Sequence, residues 1–559
     1  MKRFFNEPEP RKIAYFSMEV GLDGSMPTYS GGLGVLAGDT IKSAADLAVP
    51  MVAVSLVHEK GYFSQKLLED GWQEEVPSSW RMEEHLEPLD VQVIINIEGR
   101  EVRIRPWRKV IRGSKGYEVP IIFLDTNVPG NSDYDKTLTS FLYGGDQKYR
   151  FAQEMVLGIG GLRMLNALGY SSIKKYHMNE GHASLLTLEL YKETDNDSLE
   201  DVRQRCVFTT HTPVPAGHDR FEQSLVRDLM PSFPFDIRDL IDSENKVNMT
   251  LIGLYFSNYV NGVAKKHGEV SQEMFPNYPI HSITNGVHSS TWTSPEMAEL
   301  FDRFIPEWRI DPFTLRYAAG IPDEEIINTH RENKKILIDE INARHNTSLE
   351  YDVFTIGFAR RATSYKRPDL LFFDVERLKK IANKHGKIQL VFAGKAHKKD
   401  TQGKEVIKKL VSISKELGDK IKMVYLYDYD ITLAKVLIPG VDIWLNTPMR
   451  PKEASGTSGM KAAHNGVPSL SVLDGWWLEG CIEGVTGWSI GDKNPVLDEG
   501  AQNIKDAQSL YDKLELIVPT FYGDKHSWAE IMKYTIVINA SFFNTHRMVS
   551  QYVLKAYFH

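Results

Sequence analysis

The sequence predicts an α/β protein with two doubly wound parallel sheets that face each other across a cleft. Short apolar runs alternate with amphipathic stretches along most of the 559 residues, an order typical of parallel sheets covered by helices. A chain of this length exceeds one ordinary hydrophobic core, so at least two domains are expected. In such sheets ligands bind at the carboxyl ends of the strands, in the loops that open the next helix.

The strands are predicted, in chain order, by the apolar runs "KIAYFSMEV", "VPMVAVSLV", "CVFTTHT", "FTIGFARR", "IQLVFAGK", "KMVYLYDY", "VDIWLNT" and "VPSLSVLDG". Amphipathic stretches at 367–384 and 403–417 predict helices, and the segment 539–558 predicts a final helix. The alternation breaks between residues 295 and 330, at "TSPEM", "IPEW" and "GIPDEE". We therefore expect one domain at 1–297 and a second at 298–539.

Composition excludes several classes of protein. The net charge of -8 argues against a general nucleic-acid binder, which would be basic. Two cysteines, Cys206 and Cys481, cannot form a disulfide framework or a zinc-finger array. No apolar run approaches the length of a membrane helix, and the first residues lack the apolar stretch of a signal peptide. The expected location is the reducing cytoplasm.

The first candidate site is the glycine loop "TYSGGLGVLAGD", which contains Gly31, Gly32 and Gly34. Glycines there would let the backbone approach a ligand closely. The alternative is a tight turn with nothing bound.

The second candidate site is "FARRATSYKRPD", directly after a predicted strand. It places Arg360, Arg361, Lys366 and Arg367 within eight residues, and guanidinium groups are well suited to holding phosphate. The alternative is a solvated, charged turn.

The third candidate site is "EASGTSGMKAAHNGVPSLSVLDGWWLEG", residues 453–480. A loop of small residues opens a predicted helix, and such helix starts bind anions because free N–H groups and the helix dipole favour negative charge. Lys461 lies one turn into this helix. An isolated lysine is ordinarily a surface residue, but all three segments lie where an α/β sheet presents a ligand.

These residues resemble the α-glucan phosphorylases, the family of glycogen, starch and maltodextrin phosphorylases. "EASGTSGMK" is similar to the family's cofactor-lysine signature, and with "RRATSYKR" it forms a specific pair. Further segments agree in order: "SGGLGVLA", "GYFSQK", "LYGGDQKYRFAQE", "MNEGHASL", "TTHTPV", "VNGVAKKH", "TNGVHSSTW", "FAGKA", "LAKVLIPGVDI" and "FNTHRMV". The resemblance runs from about Ile13 to the end of the chain.

The resemblance implies a retaining glycosyltransferase B-type fold of two Rossmann-like domains, with the C-terminal helix, 540–559, completing the first. It implies pyridoxal 5′-phosphate, held as a Schiff base on Lys461. The cofactor-binding residues it implies, besides that lysine, are Gly456, Thr457, Ser458, Arg360 and Tyr429. No metal is expected.

The resemblance also implies where the substrates bind. Arg361 and Lys366 would hold the substrate phosphate, together with the backbone of Gly32 and Leu33. The glucosyl unit would lie beside His182 and contact Glu453, Ser455 and Gly456. The implied reaction is phosphorolysis of α-1,4-glucans to α-D-glucose 1-phosphate with retained configuration. The partners would be an α-glucan, phosphate and a second subunit, with no nucleic acid or membrane.

Five positions depart from the family pattern: Lys60, Thr363, Asp430, Ser458 and Gly459. The chain is also shorter than the animal and plant enzymes and starts close to the first core strand, so little room for an N-terminal regulatory extension is expected. Glucan length, allostery and oligomeric state are left open.

Two alternatives remain open. A nucleotide-sugar-dependent glucan synthase of the same fold usually carries a second glutamate eight residues after the first, but here that residue is Lys461, counted from Glu453. The other alternative is an inactive glucan-binding homologue. The joint presence of Lys461, Arg361, Lys366, Glu453 and His182 argues against it.

Overall fold

The computed structural model describes residues 10–194, 198–214, 217–494 and 498–558. The chain forms two compact units. The first contains the residues up to Phe63, Pro77–Thr284 and the residues from Met548 onward; the second contains Ser64–Val76 and Asn285–Arg547. Within these ranges no helix combines the length and apolar composition needed to cross a membrane.

The strands are β1 Ile13–Ser17, β2 Met51–Leu56, β3 Ser64–Leu67, β4 Gln73–Val76, β5 Glu87–Pro88, β6 Val93–Ile97, β7 Arg100–Arg112, β8 Glu118–Asp125, β9 Lys175–Asn179, β10 Cys206–Thr209, β11 Arg220–Glu222, β12 Lys246–Asn248, β13 Tyr259–Gly262, β14 His281–Ser282, β15 Phe354–Ala359, β16 Ile388–Ala393, β17 Ile421–Leu426, β18 Ile443–Asn446, β19 Ser469–Val472 and β20 Gly487–Ile490. All eight predicted strands are present among them.

The α-helices are α1 Gly32–Asp46, α2 Asp133–Lys136, α3 Gln147–Met155, α4 Gly161–Ala167, α5 Leu185–Glu193, α6 Leu199–Arg205, α7 Gln223–Leu229, α8 Met249–Tyr255, α9 Lys265–Met274, α10 Ser289–Trp292, α11 Pro295–Phe304, α12 Asp323–His345, α13 Val375–His385, α14 Thr401–Ser414, α15 Ile431–Leu437, α16 Ser458–Ala463, α17 Trp477–Gly480, α18 Glu499–Gly523, α19 Lys525–Tyr534 and α20 Thr545–Tyr552. Short π-helical segments join α3 to α4, follow α19 and extend α20.

The sheet of the first unit has ten strands in the order β14-β13-β10-β9-β1-β2-β8-β7-β5, with β6 paired to β7. The strands from β14 to β8 are parallel, whereas β7 runs antiparallel to its neighbours. From β1 the chain builds outward through β2 and β8, then returns to the other side through β9. The strand order therefore reverses between β1 and β9, where ligands bind in doubly wound sheets.

The sheet of the second unit is entirely parallel and has six strands in the order β17-β16-β15-β18-β19-β20. Numbered within the unit, this is the 3-2-1-4-5-6 order of a Rossmann fold, with the reversal between β15 and β18. Its apolar core cluster includes Phe354, Leu390, Ile443 and Leu470, and every residue of β15, β16 and β18 is buried, so both faces of the sheet are covered. The predicted α/β class with parallel sheets is confirmed.

The compact units do not divide where the sequence pattern breaks. The division lies between residues 284 and 285, whereas the pattern predicts 297. Two hydrogen bonds account for the difference. Ser289 Oγ bonds His464 Nε2 (2.9 Å), and the Ser294 N–H donates to Asn465 Oδ1 (2.8 Å), so this segment packs within the second unit.

A hairpin formed by β3 and β4 also belongs to the second unit, although the residues on both sides of it in the chain belong to the first. The sequence pattern did not predict this hairpin, because eight polar or charged residues alternate irregularly with few apolar ones in "SQKLLEDGWQEEV". The hairpin packs on α14 and on the loop after β16.

Two predicted helices have different limits. The helix predicted at 367–384 begins only at Val375, because Pro368 disfavours a helical residue before it and Arg367 adopts a φ of 44°. The final helix predicted at 539–558 is interrupted at Phe543 and Asn544. There the Val287 N–H donates to the Phe543 carbonyl (3.2 Å). This carbonyl therefore bonds outside the helix, and the run of helical hydrogen bonds is broken.

The last helix packs in the core of the first unit. Met548, Val549 and Tyr552 lie in one apolar cluster with Ile13, on β1. Beyond α20, Tyr557 Oη bonds Nδ1 of the buried His177 at 2.7 Å.

Candidate active site

Polar and charged side chains concentrate where the strand order of each sheet reverses. In the first unit Glu19 follows β1 and His182 follows β9; in the second Arg360 follows β15 and Glu453 lies in the loop after β18. Each group is described within its own unit.

Glu19 organises the glycine loop of the first unit. Its buried carboxylate accepts hydrogen bonds from the N–H groups of Ser30 (2.5 Å) and Gly31 (3.3 Å), and from the Tyr143 hydroxyl (2.8 Å). A carboxylate that accepts several such bonds fixes the backbone around it. The path of the loop that opens α1 is therefore set by one side chain.

The glycines of α1 serve two different purposes. A Cβ on Gly34 would lie 2.7 Å from Glu19 Oε2, and one on Gly38 would lie 1.9 Å from the carbonyl oxygen of Gly21. Both glycines are needed for close packing. A Cβ on the exposed Gly32 would have no atom of the described residues within 4 Å, and Leu33 is only half-buried. The Gly32 backbone is thus open to a ligand, whereas Gly34 and Gly38, inside α1, are explained by packing.

His182 belongs to a network of charged groups. Its Nε2 lies 3.2 Å from Asp219 Oδ2, and Asp219 also pairs with Arg150, whose guanidinium lies 4.6 Å from the centre of the Tyr143 ring. Burial opposes the ionised form of Asp219, but Arg150 and His182 lower its pKa below the usual range. Burial and the charge of Asp219 raise the pKa of Glu154 well above its usual value.

The residue before the Gly-His pair is held in an uncommon conformation. Glu180 has a φ of 78°, and its carboxylate accepts hydrogen bonds from the His211 N–H (2.7 Å) and the Thr212 hydroxyl (3.0 Å). Such strained backbone is typical of functional sites. Burial lowers the pKa of His211 to about 4, which keeps this ring neutral while its Nε2 bonds Asn179 Oδ1 at 2.6 Å.

In the second unit Glu453 joins two of the predicted cations. Its Oε2 atom lies 2.5 Å from Arg360 Nη2 and 2.8 Å from Lys366 Nζ, and Arg360 also hydrogen bonds Asn446 at the end of β18. Burial alone would raise the pKa of Glu453, but these two cations lower it to about 2. Arg360, Lys366 and Glu453 are thus brought together at the reversal point of the sheet.

Two further predicted residues are connected with Arg360: Arg361 follows it in the chain, and Tyr429 interacts with its charge. Arg361 is exposed, and after burial its charge is the main cause of the lowered pKa of His397. Burial raises the pKa of Tyr429, which also feels the charge of Arg360. Arg360 and Lys366 share one ionised carboxylate, Glu453, so this group has an excess of positive charge and suits an anion.

Arg367, the fourth cation of the same segment, does not join the cluster. It is buried, and its guanidinium pairs with Asp506 (2.7 Å) and donates to the Thr447 carbonyl (2.9 Å). This arginine therefore supports the core of the second unit.

Lys461 is buried on the short helix α16. Its Nζ lies 3.8 Å from the centre of the Trp292 ring, a cation–π contact. The Asn465 side chain ties α16 to this tryptophan by donating to both the Lys461 carbonyl (2.9 Å) and the Trp292 carbonyl (2.8 Å). An amine kept from bulk water beside an aromatic ring differs from an ordinary surface lysine.

The loop between Glu453 and α16 is anchored by Asp474. This buried carboxyl group accepts the N–H groups of Glu453 and Gly475, both at 2.9 Å. Burial, with the nearby charge of Glu453, raises the pKa of Asp474 to about 7. Gly456 in this loop has a φ of 85°, and the buried Ser455 hydroxyl has no hydrogen-bond partner among the described residues.

The departures from the family pattern have local explanations. A Cβ on Gly459 would lie 2.7 Å from the Trp476 ring, so a larger residue would not fit. The Ser458 hydroxyl accepts the Trp444 indole N–H at 3.0 Å. Asp430 caps α15, and Lys60 Nζ lies 5.2 Å from the centre of the Phe141 ring. The buried Thr363 hydroxyl has no partner in the described part of the chain.

Sequence reasoning missed Glu19, Arg150, Asp219 and Asp474 as members of these groups. Arg150 lies within "LYGGDQKYRFAQE", which carried part of the resemblance. Glu19 and Asp474 end the apolar runs "KIAYFSMEV" and "VPSLSVLDG", so a carboxylate at the end of a predicted strand was the available signal.

The free energy of unfolding of the wild type should fall as the pH rises, because Asp474 ionises. We predict that this fall is smaller in Asp474→Asn. A carboxyl group whose pKa is raised from 3.8 to about 7 stabilises the fold fully below about pH 4, and this contribution disappears as the pH approaches 7. Between pH 5 and 7 the wild type should therefore lose about 2 kcal/mol of unfolding free energy that Asp474→Asn does not lose.

Urea unfolding at both pH values measures this difference. Asp352→Asn is the matched control, since the Asp352 side chain is 90% exposed. Asparagine leaves one N–H less well paired, so Asp474→Asn should be less stable than the wild type at both pH values. Equal pH dependence in the wild type and Asp474→Asn would contradict the assignment.

Comparison with known proteins gives one family. Residues 25–153 and 235–484 match the family model for carbohydrate phosphorylase. The match includes the glycine loop, the cation loop and Lys461, whereas Glu19 and Asp219 lie outside it.

Relatives align over nearly the whole chain. Maltodextrin phosphorylase of Thermococcus litoralis is 40% identical over 98% of this chain and 70% of its own length. Glycogen phosphorylase of Aquifex aeolicus is 34% identical over 99% of this chain and 87% of its own length. An uncharacterised protein of Methanocaldococcus jannaschii is 32% identical over 98% of this chain and all of its own length. The predicted family is confirmed: this chain belongs to the carbohydrate phosphorylases.

Proposed function

We propose that the protein is an α-1,4-glucan phosphorylase, a glycosyltransferase that moves the terminal glucosyl unit of an α-glucan onto inorganic phosphate. The product is α-D-glucose 1-phosphate. The observation that carries the proposal is the excess of positive charge around Glu453, at the point where a Rossmann-like sheet binds its ligands. Relatives named maltodextrin phosphorylase and glycogen phosphorylase support the same activity.

The cation cluster would hold and activate the phosphate. Arg361 is exposed and would bind the phosphate dianion, while Lys366 also pairs with Glu453. The open backbone of Gly32 provides N–H donors without a side chain in the way. Charge-assisted contacts of this kind stabilise the negative charge that develops as the glycosidic bond breaks.

The glucosyl unit would be held by polar groups next to these cations. Glu453 presents a second carboxylate oxygen, and Ser455 offers a buried hydroxyl that has no partner within the described residues. Gly456, at a φ of 85°, leaves its backbone accessible. Within the first unit, His182, oriented by Asp219, is the residue that the proposal assigns to the sugar.

The residues of the second unit fit pyridoxal 5′-phosphate. A buried amine lies against an aromatic ring, excess cations lie nearby, and two buried hydroxyls lack partners within the described residues. Lys461 would bind the aldehyde, and the phosphate would be held by Arg360, Tyr429 and the backbone of Gly456, Thr457 and Ser458. When bound, the cofactor supplies a phosphate group that can exchange a proton with the substrate phosphate. General acid help of this kind is worth roughly 10² to 10⁴ in rate.

Further parts of the sequence prediction belong to this proposal. They are the two-domain retaining glycosyltransferase arrangement, the assignment of glucan and phosphate to the first domain and of pyridoxal phosphate to the second, a cytoplasmic location and a homodimer. The acidic net charge of -8 fits a neutral polymer substrate better than nucleic acid.

We predict that the protein releases α-D-glucose 1-phosphate from maltodextrin only when phosphate is added. Arg361→Ala should lower kcat/KM for phosphate roughly tenfold to a hundredfold, because one charge-assisted contact to the dianion is lost. Product formation can be followed by a coupled assay. Arg344→Ala, on an arginine whose side chain is 64% exposed, is the control. Glucan extension from ADP-glucose or UDP-glucose without phosphate would instead identify a synthase.

We predict opposite effects for two glycines of the same helix. Gly32→Ala should keep the melting temperature of the wild type but reduce activity, because the new methyl group meets only the space assigned to the ligand. Gly38→Ala should lower the melting temperature, because its Cβ would lie 1.9 Å from a backbone oxygen. Full activity in a well-folded Gly32→Ala enzyme would remove this loop from the site.

We predict that borohydride reduction fixes pyridoxal phosphate to the side chain of Lys461. Peptide mass mapping should find about one modified lysine per chain, within "EASGTSGMK", and Lys461→Arg should remove it. This readout does not depend on activity. A modification on the half-exposed Lys452 instead would show that the buried amine is not the attachment point.

A further inference from the structure

We propose that Gln65 and Gln73, in the hairpin of β3 and β4, are positioning residues for the phosphate-binding loop. They hold residues 394–396, which in turn support the backbone of Arg360 and Arg361, and they do not contact the substrate themselves. This inference rests on the proposed function of that loop. These positioning residues lie on segment 64–76, which interrupts the first unit in the chain.

The two glutamine side chains bind the loop that follows β16. Gln73 Oε1 accepts the Ala396 N–H (2.9 Å), and Gln73 Nε2 donates to the Ala396 carbonyl (2.8 Å). Gln65 Nε2 donates both to the Gly394 carbonyl and to Gln73 Oε1, each at 2.9 Å. The backbone from 394 to 396 is therefore held from the hairpin side by a matched pair of amides.

The same stretch of backbone supports the cation loop from its other side. The Arg360 N–H donates to the Ala393 carbonyl (3.2 Å), and the Ala362 N–H donates to the Lys395 carbonyl (3.0 Å). A Cβ on Gly394 would lie only 1.8 Å from the Arg360 carbonyl oxygen, so the two backbones are in close contact. A shift of residues 394–396 would consequently move the backbone of Arg360 and Arg361.

Gln65 also holds the turn that leads to Tyr429. Its N–H donates to Asp428 Oδ1 (2.8 Å), and its Oε1 accepts the Asp428 N–H (2.9 Å). Lys395 Nζ, from the loop after β16, lies 2.6 Å from the same aspartate. Asp428 has a φ of 57°, a conformation that these contacts stabilise. Gln65 thus connects the loop after β16 with the turn that precedes Tyr429.

The burial of these amides favours a positioning role over simple packing. Gln65 and Gln73 are 2% and 1% exposed, and a buried amide is costly unless its hydrogen bonds are made. Apolar residues would pack the hairpin without fixing the backbone groups it faces. Two ion pairs also hold the hairpin on α14: Glu75 with Lys404 and Asp70 with Lys408, both at 2.7 Å. Gln73 Nε2 donates to Glu75 Oε1 (2.7 Å), so the Asp70–Lys408 pair is the one that does not involve either amide. Loss of the amides should therefore leave the hairpin docked.

The test uses Gln73→Met and Gln65→Met, which keep side-chain length and remove the hydrogen bonds. Steady-state kinetics of the purified holoenzyme, with phosphate and maltodextrin varied in turn, should show the KM for phosphate raised about tenfold and the KM for maltodextrin within twofold of wild type. Misplacement of a binding group by a fraction of an ångström suffices for such a change. The double variant should show less than the product of the single effects, because the two amides share a hydrogen bond.

Asp70→Asn is the matched control, since it weakens the hairpin's attachment to α14 without touching residues 394–396. It should leave both KM values unchanged. A purely structural role for the glutamines would lower the melting temperature and the active fraction but leave the KM for phosphate at the wild-type value, and that result would overturn the proposal. A wild-type enzyme that forms no glucose 1-phosphate would overturn the proposed function and the positioning role with it.

Discussion

The buried ion pairs of Glu453 set the chemistry of the second unit. One carboxylate oxygen accepts from both Arg360 and Lys366, two cations that would repel each other at this distance without it. Burying such charges is tolerated only when each finds a partner of opposite sign. Two cations share this one carboxylate, and the exposed Arg361 follows Arg360 in the same loop, so added negative charge meets a net attraction.

The first unit also contains a buried carboxylate at this point of its sheet, Glu19, but its hydrogen-bond donors are of a different kind. Glu19 accepts mainly from backbone N–H groups and a tyrosine, so it orders a loop and does not neutralise cations. A second carboxylate of the same unit, Asp219, pairs with Arg150 and orients His182. In both units a carboxylate at the reversal point of the sheet determines which groups are free to face a ligand. The glycines around it set how closely the backbone can pack.

The sequence predicted the strands well, because each is a short apolar run bounded by turn residues. Motifs adjacent to those strands also pointed to Arg360, Lys366 and Glu453, which lie together in the structure. The role of Lys461 stays a prediction. The sequence could not show that Arg367 would turn inward to Asp506, since that depends on an aspartate about 140 residues away. The start of α13 was misjudged because amphipathic periodicity continues through Pro368. Asp474 was missed because its significance comes from burial beside Glu453, which no local pattern encodes.

The hairpin of β3 and β4 means that the second unit is discontinuous in the gene. A coding fragment for residues 285–547 would supply every strand of its six-stranded sheet yet omit the segment 64–76. The backbone carbonyls of Gly394 and Ala396 would then meet solvent where two amides now bind them. Any attempt to obtain this unit alone must graft the hairpin back, for example as a separate peptide. During synthesis, residues 64–76 leave the ribosome more than 200 residues before the surface that receives them.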